Sequence, residues 1–325
     1  MAYGEEVLDA ELVHAIAPRA ALTILLVRGN SLDSADQAVA ASVDALRMGA
    51  SEGGIISLSP AGQIGGEHCV TDRQLAELND ALRDDAAHHV TVVAATGDSG
   101  AAGEPCALID ALSAGIRGTF VPRREVTLIS ADPLVLGAGG TTLKANRGTG
   151  AWAGETTWGL PDGSPGTGFQ ASSGGFSHRF RRPSYQNAVP GIASMRGVPD
   201  VAADANPNPG SGVPVVTSNG GADYTVSAHG GTSASAPIWA GIIALADQYA
   251  KRHLGFVNPA IYRIARSPQY HRAFHDITTG TRNTAKLPHR TITGYRAGPG
   301  WDPVTGWGSP NAIVLVPLLA ARASR

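Results

Sequence analysis

The run Gly230-Gly231-Thr232-Ser233-Ala234-Ser235-Ala236-Pro237 stands directly before a strongly apolar segment that reads as a helix. Small residues let a backbone turn tightly and let a substrate come close. A serine at a helix N-terminus lies near unpaired N–H groups and the positive end of the dipole, which can stabilise an oxyanion. The same grammar, a Ser/Thr cap with proline in the first turn, also starts helices that do no chemistry. A serine nucleophile needs a base. Glu5 and Asp9 stand four apart in a segment of helical periodicity. At about 100° per residue, Glu5, Asp9, Leu12 and Ile16 share an arc of about 60°, while Glu6 and Glu11 point elsewhere. Such acids repel by about 0.2–0.5 kcal/mol on an exposed helix and more when buried. On an inward face at least one pKa is raised, and the pair can share a proton. Acids in a first helical turn are also common for dipole reasons alone. Asp98, in Thr96-Gly97-Asp98-Ser99-Gly100, is a further acid, and an Asx turn in a Gly-rich loop explains it without function.

The elements that must position these residues follow from the apolar pattern. Residues 5–16 read as an amphipathic helix ended by Pro18, 21–27 as a buried strand and 33–48 as a helix. Strands at 54–59 and 90–95 flank a helix at 72–84. From about residue 100 to 225 the chain is rich in Gly, Pro and Ser, with short strands at 126–130 and 135–143. A helix at 235–252 follows, then a loop-like tail from 273 with a short helix at 311–321. Alternating strands and helices predict an α/β fold, a doubly wound, mostly parallel sheet flanked by helices. Active sites in such sheets form beyond the carboxyl ends of the strands, where the loop 96–100 falls.

Taken together the segments resemble the serine-carboxyl peptidases, the sedolisin family. The string Gly-Thr-Ser-Ala-Ser-Ala-Pro is similar to the nucleophile segment that subtilisins and sedolisins share. Glu5 to Glu11 with Ala17-Pro18-Arg19-Ala20 resembles the sedolisin segment holding a catalytic Glu and Asp four apart. Residues 96–100 resemble the segment of its oxyanion aspartate, and 137–143, 173–177 and 198–203 are weaker supporting stretches. Order along the chain agrees, and the likeness runs from residue 4 to about 312. A subtilisin base would lie in a His-Gly-Thr-His type segment, and none exists here. His14, His68, His88, His89, His178 and His229 sit in other settings. The trypsin serine motif fails as well, because Gly97-Asp98-Ser99-Gly100 lacks the following Gly-Pro and comes too early. The resemblance implies a subtilisin-like fold and an endopeptidase acting at acidic pH through an acyl-enzyme. In it Ser233 is the nucleophile, Glu5 the general base and then acid, and Asp9 the residue that orients Glu5. Asp98 takes the place of the subtilisin oxyanion asparagine, and a carboxyl group donates to an oxyanion only while protonated.

Asp276-Ile277 and Ala297-Gly298-Pro299-Gly300-Trp301-Asp302 offer two carboxylates and the carbonyls of a Gly-rich turn, hard oxygen ligands that suit Ca²⁺. Turn formation explains either segment without metal. The pairing resembles the sedolisin calcium site, which implies one structural ion held by the side chains of Asp276 and Asp302 and the carbonyls of Ile277, Gly298 and Gly300.

With 325 residues, 43% hydrophobic and 16% charged, the chain can bury a large core in one domain. A net charge of −2 makes no electrostatic case for nucleic acid or an anionic membrane. No apolar run reaches the roughly 18 residues of a membrane span, and the first residues lack the pattern of a signal peptide. Cys69 and Cys106 form no CxxC pair, and the expectation is two inert thiols, with one disulfide left open. Residues 1–325 are expected to be a single catalytic domain lacking the propeptide and the first part of the catalytic domain that the resemblance implies. Polypeptide substrates, a monomer and an extracellular setting are likewise implied. A calcium-stabilised inactive remnant is the alternative. Ser59-Pro60 and Leu128-Ile129-Ser130 depart from the family's usual Ser-Trp and Phe-Pro-Ala near the cleft, so specificity does not carry over.

Overall fold

Thr91–Ala95 (β2) is buried at every position, as a central strand of a parallel sheet must be when helices cover both faces. It pairs in parallel with Ile55–Leu58 (β1) on one side and with Val135–Ala145 (β3) on the other. β3 is long enough to take two more partners. Its middle pairs in parallel with Val201–Asp204 (β5), and its end pairs antiparallel with Trp152–Thr157 (β4). The computed structural model describes residues 3–25, 35–59, 64–106, 121–159, 171–208, 211–218, 224–287 and 290–323.

Two cores lie on opposite faces of this sheet. On one face Ala35–Glu52 (α2) and Asp72–Ala87 (α3) bury Val39, Leu46, Leu78 and Leu82 against Val92 and Val135. α3 begins at a capping box, in which Gln74 N–H donates to Thr71 Oγ1 and Thr71 N–H to Gln74 Oε1. On the other face Thr232–Ala250 (α4) lays Trp239, Ile242 and Ile243 against Val93, Leu136 and Val201. Asn258–Ala265 (α5) and Ala312–Arg322 (α6) close that core. Tyr3–Ile16 (α1) crosses α4 where Gly241 leaves room, because a Cβ there would sit 2.9 Å from Ile16 Cβ. A hairpin of Val213–Ser218 (β6) and Tyr224–His229 (β7) also packs on α1.

Three expectations are corrected. The segment 21–25 forms no strand. Leu22 and Ile24 are exposed, and 26–27 lie outside the described residues. Residues 128–131 form one helical turn instead of a strand, closed by Asp132, which accepts from the Leu134 N–H. Cys69 and Cys106 are joined in a disulfide, so they are not free thiols. The chain also holds elements the apolar pattern does not predict, namely α5 and the β6–β7 hairpin.

Candidate active site

Ser233 is the second residue of α4, and the helix start is shaped to present it. Gly231 precedes the helix with φ +84, and a Cβ on it would lie 2.6 Å from Asp98 Oδ2, so only glycine fits. Thr232 then ties the helix to the loop after β2. Its N–H and Oγ1–H donate to Asp98 Oδ1 at 2.8 and 2.9 Å, and its Oγ1 accepts from Gly97 N–H at 2.8 Å. Pro237 has no N–H to offer the Ser233 carbonyl four residues back, which loosens the first turn around the serine.

α1 brings the acids. Leu8 is 1% exposed, wedged against Ala234 and Val215, and this one buried side chain fixes the rotation of the helix. On the same stretch the Glu5 carboxyl faces the Ser233 hydroxyl. Ser59, just past β1, donates to Asp9 at 3.3 and 3.4 Å and also faces Glu5. Asp98, from the sheet's carboxyl edge, completes the group. The structure therefore brings Ser233, Glu5, Asp9 and Asp98 into one place. Glu11 turns away to accept from Val216 N–H, as the helical arc predicts. Glu6 does not turn away entirely, since its charge raises the pKa of both Glu5 and Asp9.

The electrostatics follow from crowding acids together out of water. Burial raises Glu5, and the hydrogen bonds from Ser233 and Ser59 hold it back. Glu5 as a whole residue is nonetheless exposed, so the burial acts on its carboxyl at the contact with α4 and not on the whole side chain. Burial, then the Glu5 charge, pushes Asp9 up to about 8. Asp98 goes up to about 6, again by burial, against the two bonds from Thr232. At mildly acidic pH, then, Asp9 and Asp98 are neutral donors beside Glu5, whose carboxyl faces the serine hydroxyl. His229 acts on Glu5 only through its charge, and its ring contacts Ser227 Oγ at 2.8 Å.

Thr232, Ser59 and Glu104 are site residues that the sequence reading did not single out. Glu104 accepts from Asp98 N–H at 3.0 Å. Ser59 had a signal, the departure at Ser59-Pro60, but Pro60 itself lies outside the described residues.

The C-terminal acids also converge. Asp276 follows a short strand and accepts from Gly300 N–H at 3.1 and 3.2 Å, where Gly300 has φ +76. Asp302 accepts from Gly298, Val304 and Thr305 N–H. Both carboxylates act on the buried Tyr270 hydroxyl and raise its pKa, so they share one neighbourhood. Burial pushes Asp302 up to about 6, against the hydrogen bonds from Thr305, Val304 and Gly298. This hard-oxygen set suits Ca²⁺ in its donor chemistry.

No protein-family model matches the chain. It is 34% identical to kumamolisin of Bacillus sp. (strain MN-32) over 330 residues, which takes in 99% of the chain and 52% of that protein. It is 30% identical to human tripeptidyl-peptidase 1 over 272 residues, 78% of the chain and 41% of that protein. The chain thus spans about half the length, or less, of these curated relatives. Among solved structures, Pseudomonas sedolisin, a serine-carboxyl proteinase complexed with two molecules of pseudo-iodotyrostatin, superposes with a TM-score of 0.70. That match covers 98% of the chain and 90% of the other at 22% identity, and it shows the fold. The architecture is the subtilisin-like α/β class, with the candidate serine at a helix start beyond the parallel strands. Within that class the chain belongs to the sedolisin family of serine-carboxyl peptidases.

Proposed function

We propose that the protein is a serine-type endopeptidase working at acidic pH through Ser233, Glu5 and Asp9. The observation that carries this reading is the placement of the Glu5 carboxyl facing the Ser233 hydroxyl, near enough for that hydroxyl to hold its pKa down. Ser233 Oγ attacks the peptide carbonyl while Glu5 takes its proton. Glu5 returns that proton to the departing amine, leaving an acyl-enzyme. Water then attacks the ester, Glu5 taking its proton and giving it back to Ser233 as the acid product leaves. Neutral Asp9 donates to Glu5 and keeps it oriented, while neutral Asp98 donates to the oxyanion.

The sign of the pH dependence is fixed by these roles. Asp98 must be protonated, so turnover falls as pH rises through about 6. Denatured casein incubated with the purified chain at about pH 4 and about pH 8 tests this. Cleavage at the lower pH alone, abolished in Ser233→Ala, is expected. Cleavage at the higher pH that survives Glu5→Gln would overturn the reading.

We also propose that one Ca²⁺ is held by the side chains of Asp276 and Asp302 with the carbonyls of Ile277, Gly298 and Gly300. The ion would supply stability to the C-terminal loops and no group to the chemistry. Chelation should lower the stability by about 1–3 kcal/mol, a drop in Tm of a few degrees, readable by calorimetry and reversed by added Ca²⁺. An unchanged Tm would count against the ion. The reading sets the enzyme outside the cell, a monomer acting on polypeptides. The Cys69–Cys106 disulfide supports an oxidising compartment. No helix of the described residues is long and apolar enough to cross a membrane.

A further inference from the structure

Glu104 is a buried acid that the proposed mechanism leaves without a task. It is 1% exposed, and its Oε1 accepts both Asp98 N–H at 3.0 Å and Ser99 Oγ–H at 3.2 Å. Gly97 passes so close, with φ +100, that a Cβ on it would lie 2.2 Å from the same oxygen. The turn carrying Asp98 is therefore folded around one carboxyl oxygen. Glu104 is itself anchored from behind. Its carbonyl accepts from Gly66 N–H at 3.1 Å, and two residues later Cys106 is bonded to Cys69. Asp98 is thus gripped twice, its side chain by Thr232 and its backbone by Glu104.

We propose that Glu104 is the positioning residue of the oxyanion site, a neutral buried carboxyl that fixes Asp98 beside Ser233 through the Asp98 amide and the Ser99 hydroxyl. This rests on the reading of Asp98 given above. The neutral form follows from the surroundings. Glu104 Oε2 is buried and without a hydrogen-bond partner. The charged group that acts on Glu104 is the Asp98 carboxyl, with Glu5 beyond it. Burial, then the Asp98 charge, pushes Glu104 up to about 8, above the range in which Asp98 is itself protonated. An acceptor is needed at this place, and a charge is not. A carboxamide should serve as well.

The test compares Glu104→Gln, Glu104→Ala and Glu104→Met in the full chain, the last filling the volume without an acceptor should the alanine variant fail to fold. Peptide hydrolysis at acidic pH, with Ser233→Ala as the blank, gives kcat and KM separately. Loss of the acceptor should lower kcat by about 100-fold with KM within about threefold, the scale of losing one oxyanion donor. Glu104→Gln should stay within about threefold of the native kcat and keep the alkaline limb near pH 6 that Asp98 sets. Hydrogen exchange at the Asp98 amide should quicken by about tenfold or more in Glu104→Met or Glu104→Ala and not in Glu104→Gln. A merely structural Glu104 would lower Tm and leave kcat of the folded fraction alone, which overturns the proposal. So does a glutamine variant as crippled as the methionine one. A native chain inert towards peptides, with the Asp98 amide still protected only when residue 104 can accept, would instead sink the catalytic reading and leave the anchoring in place.

Discussion

In the proposed mechanism Asp98 does what an amide could do at any pH, and its neighbours explain how it manages. Burial alone would make its carboxyl hard to ionise, while the Thr232 N–H and hydroxyl pull the other way. The balance stands at about 6, high for a carboxyl and low enough to switch within ordinary pH. Asp98→Asn replaces a donor that exists only below that point with one that persists above it. The alkaline limb of kcat near pH 6 should therefore move upward, leaving acidic activity within about tenfold of the native value. A pH profile of kcat checks this, and a limb that stays put assigns it to another group. Gly231 allows no comparable change, because any Cβ there meets Asp98 Oδ2.

At the scale of elements, the proposed catalysis depends on how closely α1 lies on α4. Both acids ride on α1 and the serine on α4, so the approach of Glu5 to Ser233 is a contact between helices and inherits their spacing. Gly241 sets that spacing by meeting Ile16 without a side chain of its own. Gly241→Val should overpack the crossing, costing about 1–3 kcal/mol in stability. It should also lower kcat/KM by about 10- to 100-fold, since a shift near 1 Å spoils an aligned nucleophile and base. Thermal melts and steady-state kinetics read the two effects, and Ile16→Ala on the same background should recover part of each. If kcat/KM holds while Tm falls, α1 does not carry the base.

Across the whole molecule, the acids give stability an uncommon pH dependence. Asp98, Asp9 and Glu104 have raised values, about 6, 8 and 8. A carboxyl raised in the folded state binds its proton more tightly there than in the unfolded chain. Its contribution is complete below the ordinary carboxylate range near pH 4 and is lost as pH climbs through the folded value. Glu125 works in the opposite sense. Hydrogen bonds from His68 and Arg123 outweigh burial and hold it at about 2, so its contribution is lost as pH falls towards that value. Tm should peak at about pH 4–5 and fall steadily towards about pH 8. Melts across that range decide it. A maximum near neutrality would mean that the buried acids ionise freely.

The chain by itself determined the α/β class, the strands at β1, β2 and β3, the helices α1 to α4, and the local strings around Ser233, Asp98 and Asp302. These are legible because apolar period and short Gly-rich turns act over a few residues. The described part of the expected strand, 21–25, was misread for the same reason, since an apolar run says nothing of whether a neighbouring edge exists to pair with it. The disulfide, the grip of Thr232 and Glu104 on Asp98, and the distance between Glu5 and Ser233 join residues far apart in sequence. Only close packing fixes such distances, and pKa values follow them, because desolvation and charge fall on a carboxyl according to what surrounds it in space.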